Sequence, residues 1–400
     1  MHPATNPDGA TVKRKTACPI CASSAITPVL DIEQVPVHCN VLWLTQAEAR
    51  DAPRGDLHLS FCPDCGHLFN TTFDPALMEY DEVYENSLHF SPRFQQYAES
   101  LAKRLVETYD LHNKDIVEIG SGKGDFLKLL CDLGDNRGVG FDPSYEPEHG
   151  LESGNVRFVQ DFYGEKYGNQ QADLICCRHV LEHIEFPQDF MHSVRRSVSD
   201  QSGVVVYFEV PNAAYTLRDM GIWDLIYEHC SYFSLPSLRR VFAASGFRVV
   251  QAAEAYAGQF LGIEATPNGQ PAQDIGAETL EALREHVAAF GDQYRRKVQS
   301  WRQRLAEFAA AGQRVVIWGS GSKGVTFLNV LQTQDQIAYA VDINPRKQGR
   351  FVAGTGQQLV APEFLHEYEP DVILIMNPVY EDEIRRSVAE LGLTPRLYLV

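Results

Sequence analysis

The chain has 400 residues, a hydrophobic fraction of 44% and a formal charge of −18. That length calls for two or three domains, and so acidic a chain without a basic tract excludes a nucleic-acid backbone as substrate. No run of eighteen apolar residues occurs, so no membrane helix is expected.

The first residues are polar around Lys13-Arg14-Lys15, with no apolar segment behind them. They read as a disordered start over 1–16 rather than a secretory signal, which with nine cysteines predicts a reducing, cytoplasmic setting. Cys18-Pro-Ile-Cys21 and Cys62-Pro-Asp-Cys65-Gly66 form two matched hooks. Each presents two thiolates to one metal, and together they complete a tetrahedral set suited to zinc. With all four positions filled by protein, the metal of this 17–75 domain is expected to be structural. An excursion over roughly 26–58 separates the hooks. Cys39, Cys131, Cys176, Cys177 and Cys230 stand alone and read as buried small side chains.

The aromatic and acidic stretch Tyr80 to Ser87, which includes Tyr84, suits a cofactor lid or a surface packing segment. An amphipathic helix follows over Phe94 to Tyr109. From Asp115 an apolar strand carrying Glu118 runs into Gly120, Gly122 and Gly124, residues that permit a tight turn and close ligand approach. Lys123 is followed by Gly124 and Asp125 rather than by Ser or Thr, so a triphosphate loop is disfavoured. Acids on both sides would repel a pyrophosphate but suit a positively charged sulfonium. The next strand, Arg137 to Phe141, ends in Asp142, placed to accept both hydroxyls of a ribose. Asp161-Phe162 then follows a short strand and is placed to cover an adenine. Together these residues resemble a class I S-adenosylmethionine-dependent methyltransferase, which the domain over 76–265 is expected to be.

Ala172 to Cys177 reads as a fourth strand buried on both faces, leading into Arg178-His179 and Glu182-His183. His179 and His183 share a face if this segment is helical, and His183 suits either the acceptor pocket or a cap. Val204 to Asn212 is the fifth strand, and the ends of strands one, four and five converge where such sheets bind ligands. Between Trp223 and Leu235 lie Tyr227, Glu228, His229 and Tyr232. Burial and a neighbouring carboxylate tune His229 toward physiological pH, as a general base requires; a polar loop that satisfies itself is the other reading. Phe247 to Val250 is expected to close the sheet.

Apolar residues at three- and four-residue steps from Leu280 to Phe308 predict one bracing helix within 275–311, stopped by Gly312. The final 312–400 segment repeats strand, glycine loop (Gly319, Gly321, Lys323, Gly324), helix, strand and acid (Asp342), a Rossmann-like order. A lysine without acids in the loop suits an anionic ligand such as a diphosphate, although a purely structural unit fits too. The expected fold class is α/β: a central doubly wound Rossmann-like domain flanked by a small zinc-binding domain and a C-terminal Rossmann-like domain.

Over nearly its full length this layout resembles the sugar C-methyltransferases, which have those three domains in that order. The matching residues are the two hooks, Glu118 to Gly122, Asp142 to Ser144, Val180 to Ile184, Glu228-His229 with Ser231 to Phe233, Gly319 to Gly324, and Lys347 to Gly349. The resemblance implies a nucleotide-linked 4-keto-deoxysugar as acceptor, deprotonated by a Tyr-His-Glu-His cluster whose last two members match Glu228 and His229. Tyr227 stands where the family has its first histidine, and Ile226 where it has the tyrosine. A Gly-Gly-Ser segment expected near Gly258 to Gly262 is absent, and the usual Pro-Trp-Asn reads Met376-Asn377-Pro378. All three departures lie on the acceptor side. The implied chemistry has His229, oriented by Glu228, remove a proton beside a ketone while Tyr227, Tyr84 or His183 donates to the enolate. Methylation of a hydroxyl would use the same base. The rival readings are a nicotinamide oxidoreductase using the C-terminal loop, and a binding protein that tolerates loss of His229.

Overall fold

Short apolar runs bounded by turns become the strands of three sheets. The structure, a computed structural model, describes residues 14–78, 84–145, 151–152, 154–168, 170–199, 201, 203–268, 277–333 and 336–400. Most of the expected disordered start, and the first part of the Tyr80 to Ser87 stretch, lie outside these residues. Lys15, within that expected start, is instead held, its amide donating to Thr71 O at 2.8 Å and its Nζ 3.2 Å from Glu185 Oε1.

In chain order the strands are β1 (Thr27–Pro36), β2 (Arg54–Phe61), β3 (Leu68–Asn70), β4 (Asp115–Ile119), β5 (Arg137–Phe141), β6 (Val156–Val159), β7 (Leu174–Arg178) and β8 (Val205–Pro211). They continue with β9 (Ser231–Tyr232), β10 (Arg248–Ala255), β11 (Phe260–Thr266), β12 (Val315–Trp318), β13 (Tyr339–Val341), β14 (Gln358–Val360), β15 (Val372–Ile375) and β16 (Arg396–Leu399).

The central sheet has the order β10-β11-β8-β7-β4-β5-β6. Strands β4 to β8 are parallel, and β11 enters antiparallel beside β8 with β10 outside it. The strand expected from Phe247 to Val250 does close the sheet. It begins β10 at the edge, because the hairpin partner β11 takes the inner place. Parallel order puts the loops after β4, β5, β7 and β8 at one end of the sheet.

The C-terminal sheet is wholly parallel, in the order β14-β13-β12-β15-β16. The helix Ala277–Ala310 buries Phe290, Tyr294, Val298, Trp301, Leu305 and Phe308 in an apolar cluster that runs from Leu57 in β2 to Val315 and Leu374 in the C-terminal sheet. Removing such side chains from water stabilises by about 1.5–3 kcal/mol each, which ties the two outer units to one another. Among the described residues no helix is long and apolar enough to cross a membrane.

The N-terminal sheet holds a surprise. Its order is β1-β2-β3-β9, so its last strand comes from far along the chain, two positions after His229.

Candidate active site

The cofactor side is built from the end of β4. Glu118 is buried there, its Oε2 has no hydrogen-bond partner, and burial pushes its carboxyl up to about 8. Three glycines then turn the chain with positive φ, but they do different work. A Cβ at Gly120 would run into Val180, and one at Gly124 into Phe158, so these two are required by packing. A Cβ at Gly122 would meet nothing within 4 Å. Only Gly122 faces open space. Asp142, at the tip of β5, accepts from Gly122 N at 2.8 Å on Oδ2 and from Ser144 N at 2.8 Å on Oδ1. A carboxylate has about four lone-pair sites, so acceptance from a ribose remains available. Asp161 accepts from Tyr167 Oη at 2.7 Å and from Lys166, and Phe162 is 73% exposed beside it. Lys123 reaches Glu85 Oε2 at 3.9 Å.

At the ends of β7 and β8 lies a group that only the fold assembles. Glu209 is fully buried, and its carboxylate accepts from Arg178 at 2.9 and 3.0 Å, from Tyr207 Oη at 3.0 Å and from Tyr97 Oη. His179 Nε2 lies 3.1 Å from it. Burial opposes the charge on Glu209, but Arg178 and His179 outweigh it and hold the carboxyl below its usual range. The same logic acts in reverse on His179: burial lowers its pKa, and Glu182 with Glu209 more than offset this, raising it to about 9. His179 is thus an imidazolium at neutral pH, with 28% of its side chain exposed. It also has φ +56, and the turn that follows is a short 3-10 segment, Leu181–His183. The two histidines do not lie on one helix face as the spacing suggested.

His183 and His229 do meet. Their ring centroids are 4.9 Å apart and roughly perpendicular, and ligating atoms of Glu182, His183 and His229 lie within 4.8 Å of one another. His183 Nδ1 is 3.0 Å from the main-chain oxygen of Glu228, a bond it makes as donor. His229 Nδ1 is buried without a partner. Burial, with His183 next in effect, lowers the His229 pKa to about 3. The histidine therefore sits far below physiological pH rather than tuned toward it, and stays neutral.

Two expected roles change. Glu228 does not orient His229 through its carboxylate, which accepts from Cys39 N at 2.5 Å and from Tyr84 Oη at 2.7 Å. Tyr227 turns away from the histidines altogether. Its hydroxyl accepts from Asp74 N at 2.9 Å, its ring lies 5.5 Å from Phe73, and glycine at position 55 makes room for it. It packs the N-terminal core.

In the C-terminal loop, Lys323 is 2.7 Å from Asp224 and its charge is spent there. Gly324 is held against Gly319 O, whereas Gly321 faces open space. Asp342 accepts from Ser320 and lies 3.9 Å from Lys347. A free cation for a diphosphate is therefore not Lys323. At the other end of the chain, Cys18, Cys21, Cys62 and Cys65 bring four sulfurs within 4.8 Å of one another. The Cys18–Cys65 and Cys21–Cys62 sulfur pairs are 3.6 and 3.5 Å apart. Four thiolates in that cage fit a soft, tetrahedral divalent ion.

Comparison with known proteins bears on both halves of this layout. A methyltransferase domain family matches residues 90–252, and a C-methyltransferase C-terminal domain family matches residues 273–393. The C-methyltransferase NovU of Streptomyces niveus is 27% identical over 309 residues, 72% of this chain and 72% of that protein. The ubiquinone biosynthesis O-methyltransferase of Salmonella typhimurium is 31% identical over 110 residues, 26% of this chain; the chain spans only 44% of that relative. Among solved structures, the DhpI–SAH complex has 25% sequence identity over 44% of this chain and 89% of its own, with a TM-score of 0.32.

Proposed function

We propose that this chain, a class I S-adenosylmethionine-dependent C-methyltransferase, places its methyl group on a carbon beside a ketone in a small molecule such as a nucleotide-linked ketosugar. Membership rests on the two domain matches, which together take in most of the chain, and on the long similarity to a C-methyltransferase. The acceptor and the mechanism are our reading.

The observation that carries it is the His183–His229 pair, set beside Glu182 at the end of the sheet that bears the glycine loop; burial alone makes His229 a weak base, and the Glu182 carboxylate opposes that effect. In this reading His229 takes the proton from the carbon beside the ketone. The electron pair moves to the carbonyl oxygen, giving an enolate and an imidazolium, and the nearby Glu182 carboxylate stabilises that imidazolium. The His179 imidazolium supplies positive charge where the enolate develops; a preorganised donor of this kind is typically worth about 3–4 kcal/mol. The enolate carbon then attacks the sulfonium methyl, the carbon–sulfur bond breaks, and neutral S-adenosylhomocysteine leaves. Glu118, Gly122 and Asp142 are assigned to the cofactor, with Phe162 over its adenine. Zinc is assigned to the four cysteines, and the open loop around Gly321 to the anionic end of the acceptor.

Deuterium wash-in tests the base without any methyl transfer. With S-adenosylhomocysteine bound and heavy water as solvent, the wild-type protein should exchange the proton beside the ketone of a nucleotide-linked 4-ketosugar. His229→Ala should not. Equal exchange in both would remove His229 from the mechanism.

A further inference from the structure

The four-cysteine knuckle is not an appendage. Segment 227–234, which carries His229, is held from the central domain, where Ala213 N donates to Phe233 O at 2.8 Å and Cys230 Sγ to Glu182 O at 3.5 Å, and also from outside it. Ser231 and Tyr232 form β9 and pair with Phe69 and Leu68 in β3. Asn70 N donates to Cys230 O at 3.0 Å, and Ser234 Oγ donates to Gly66 O at 2.7 Å. The buried His67 ring lies 5.0 Å from Phe233 and 5.7 Å from Phe69. On the other side, Cys39 N holds Glu228, and Asp74 N holds Tyr227.

Except for the last two, the contacts from outside issue from the few residues just after the second hook. That hook turns through Cys62 N to His67 O at 2.8 Å and Gly66 N to Cys62 O at 2.9 Å, with Gly66 at φ +78. Leu68, where β3 begins, follows Cys65 by three positions. β3 is three residues long; Asn70 and Thr71 bind His58 of β2 at its far end, and its near end runs straight out of the turn that carries Cys62 and Cys65. His183 closes the circuit through its bond to Glu228 O.

We infer that metal at Cys18, Cys21, Cys62 and Cys65 positions the histidine pair, through β3 and β9, while leaving the cofactor half of the site independent of it. The four cysteines are positioning residues for the acceptor side. This rests on the reading of His229 as a site residue but not on any identity of the acceptor. On this inference the metal expected to be structural also bears on the chemistry.

The test needs no acceptor. The full chain is stripped of metal with a thiol-compatible chelator, and in parallel the half-buried Cys21 is changed, Cys21→Ser. Metal content, S-adenosylmethionine affinity and peptide-level hydrogen exchange are then followed. Exchange of the peptide covering 228–234 should rise by about tenfold or more. Exchange over 115–119 should hold, and affinity should stay within about threefold. Added zinc should restore protection in the stripped protein. Unchanged exchange at 228–234 after metal loss would overturn the inference. So would a uniform rise along the whole chain, because the metal would then hold the fold rather than the loop. Failure of His229 in the deuterium wash-in, with this result intact, would instead indict the proposed base.

Discussion

Gln259 and Asn377 hold one another by a reciprocal pair of side-chain amide bonds, 2.8 Å from Gln259 Nε2 to Asn377 Oδ1 and 3.1 Å from Asn377 Nδ2 to Gln259 Oε1. One sits in the loop before β11, the other just after β15, so the pair joins the central and C-terminal sheets. Both lie in the segments where this chain departs from the sugar C-methyltransferase pattern. Two departures that look unrelated along the sequence are therefore one contact. Changing either residue alone strands a largely buried amide, whereas changing both removes the need. Gln259→Ala and Asn377→Ala are expected to be non-additive by about 0.5–1.5 kcal/mol in a double-mutant cycle on unfolding. Strict additivity would show that the two amides do not depend on each other.

The glycine loop separates by role. Gly120→Ala and Gly124→Ala should lower the melting temperature, because Val180 and Phe158 occupy the space. Gly122→Val has room but a positive φ; its backbone cost is about 1–2 kcal/mol, and it should fold yet lose S-adenosylmethionine binding. Thermal unfolding and calorimetric titration of the three variants check this. Retained affinity in folded Gly122→Val would mean that the cofactor does not approach that backbone.

Glu118 predicts a pH dependence. Its pKa of about 8 lies above the ordinary value near ~4.3. The folded chain therefore keeps a proton that the unfolded chain has shed. That contribution to stability is full below ~4.3 and is lost as pH rises to about 8. Arg178 lowers this pKa, and Asp125 with Asp142 raises it. A bound sulfonium favours the carboxylate, so cofactor binding should release a proton at pH 7, and affinity should climb to about pH 8 and then level. Titration in buffers of different ionisation enthalpy counts the proton. Glu118→Gln should abolish the release, and a flat wild-type profile would contradict the account.

How much of this was legible beforehand depended on distance along the chain. The hooks, Glu118 with its glycines, and Asp142 are local patterns whose geometry is set by a few neighbouring residues. Glu209 was not legible, since its partners Tyr97, Arg178 and Tyr207 are gathered only by the sheet and the helix packed on it. Tyr227 and Glu228 misled because adjacency in sequence says nothing about direction: one side chain enters the N-terminal core and the other reaches Cys39 and Tyr84. The pairing of β9 with β3 is long-range and just two residues wide on one side, too short for any periodicity.

Tyr227 and His229 give a contrast two positions apart. Tyr227→Phe removes one buried hydrogen bond and should cost about 1 kcal/mol of stability, with turnover close to wild type. His229→Ala should abolish turnover while S-adenosylmethionine affinity stays within about threefold. Loss of turnover in Tyr227→Phe would restore the phenol to the chemistry.

The central claim is methyl transfer to carbon. Carbon-13 NMR of the product made from methyl-labelled S-adenosylmethionine and a nucleotide-linked 4-ketosugar tests it most directly. The account predicts a new methyl signal coupled to a ring carbon of the acceptor. A methyl signal at an oxygen-bound position, or label left wholly on the cofactor while binding is intact, would contradict it.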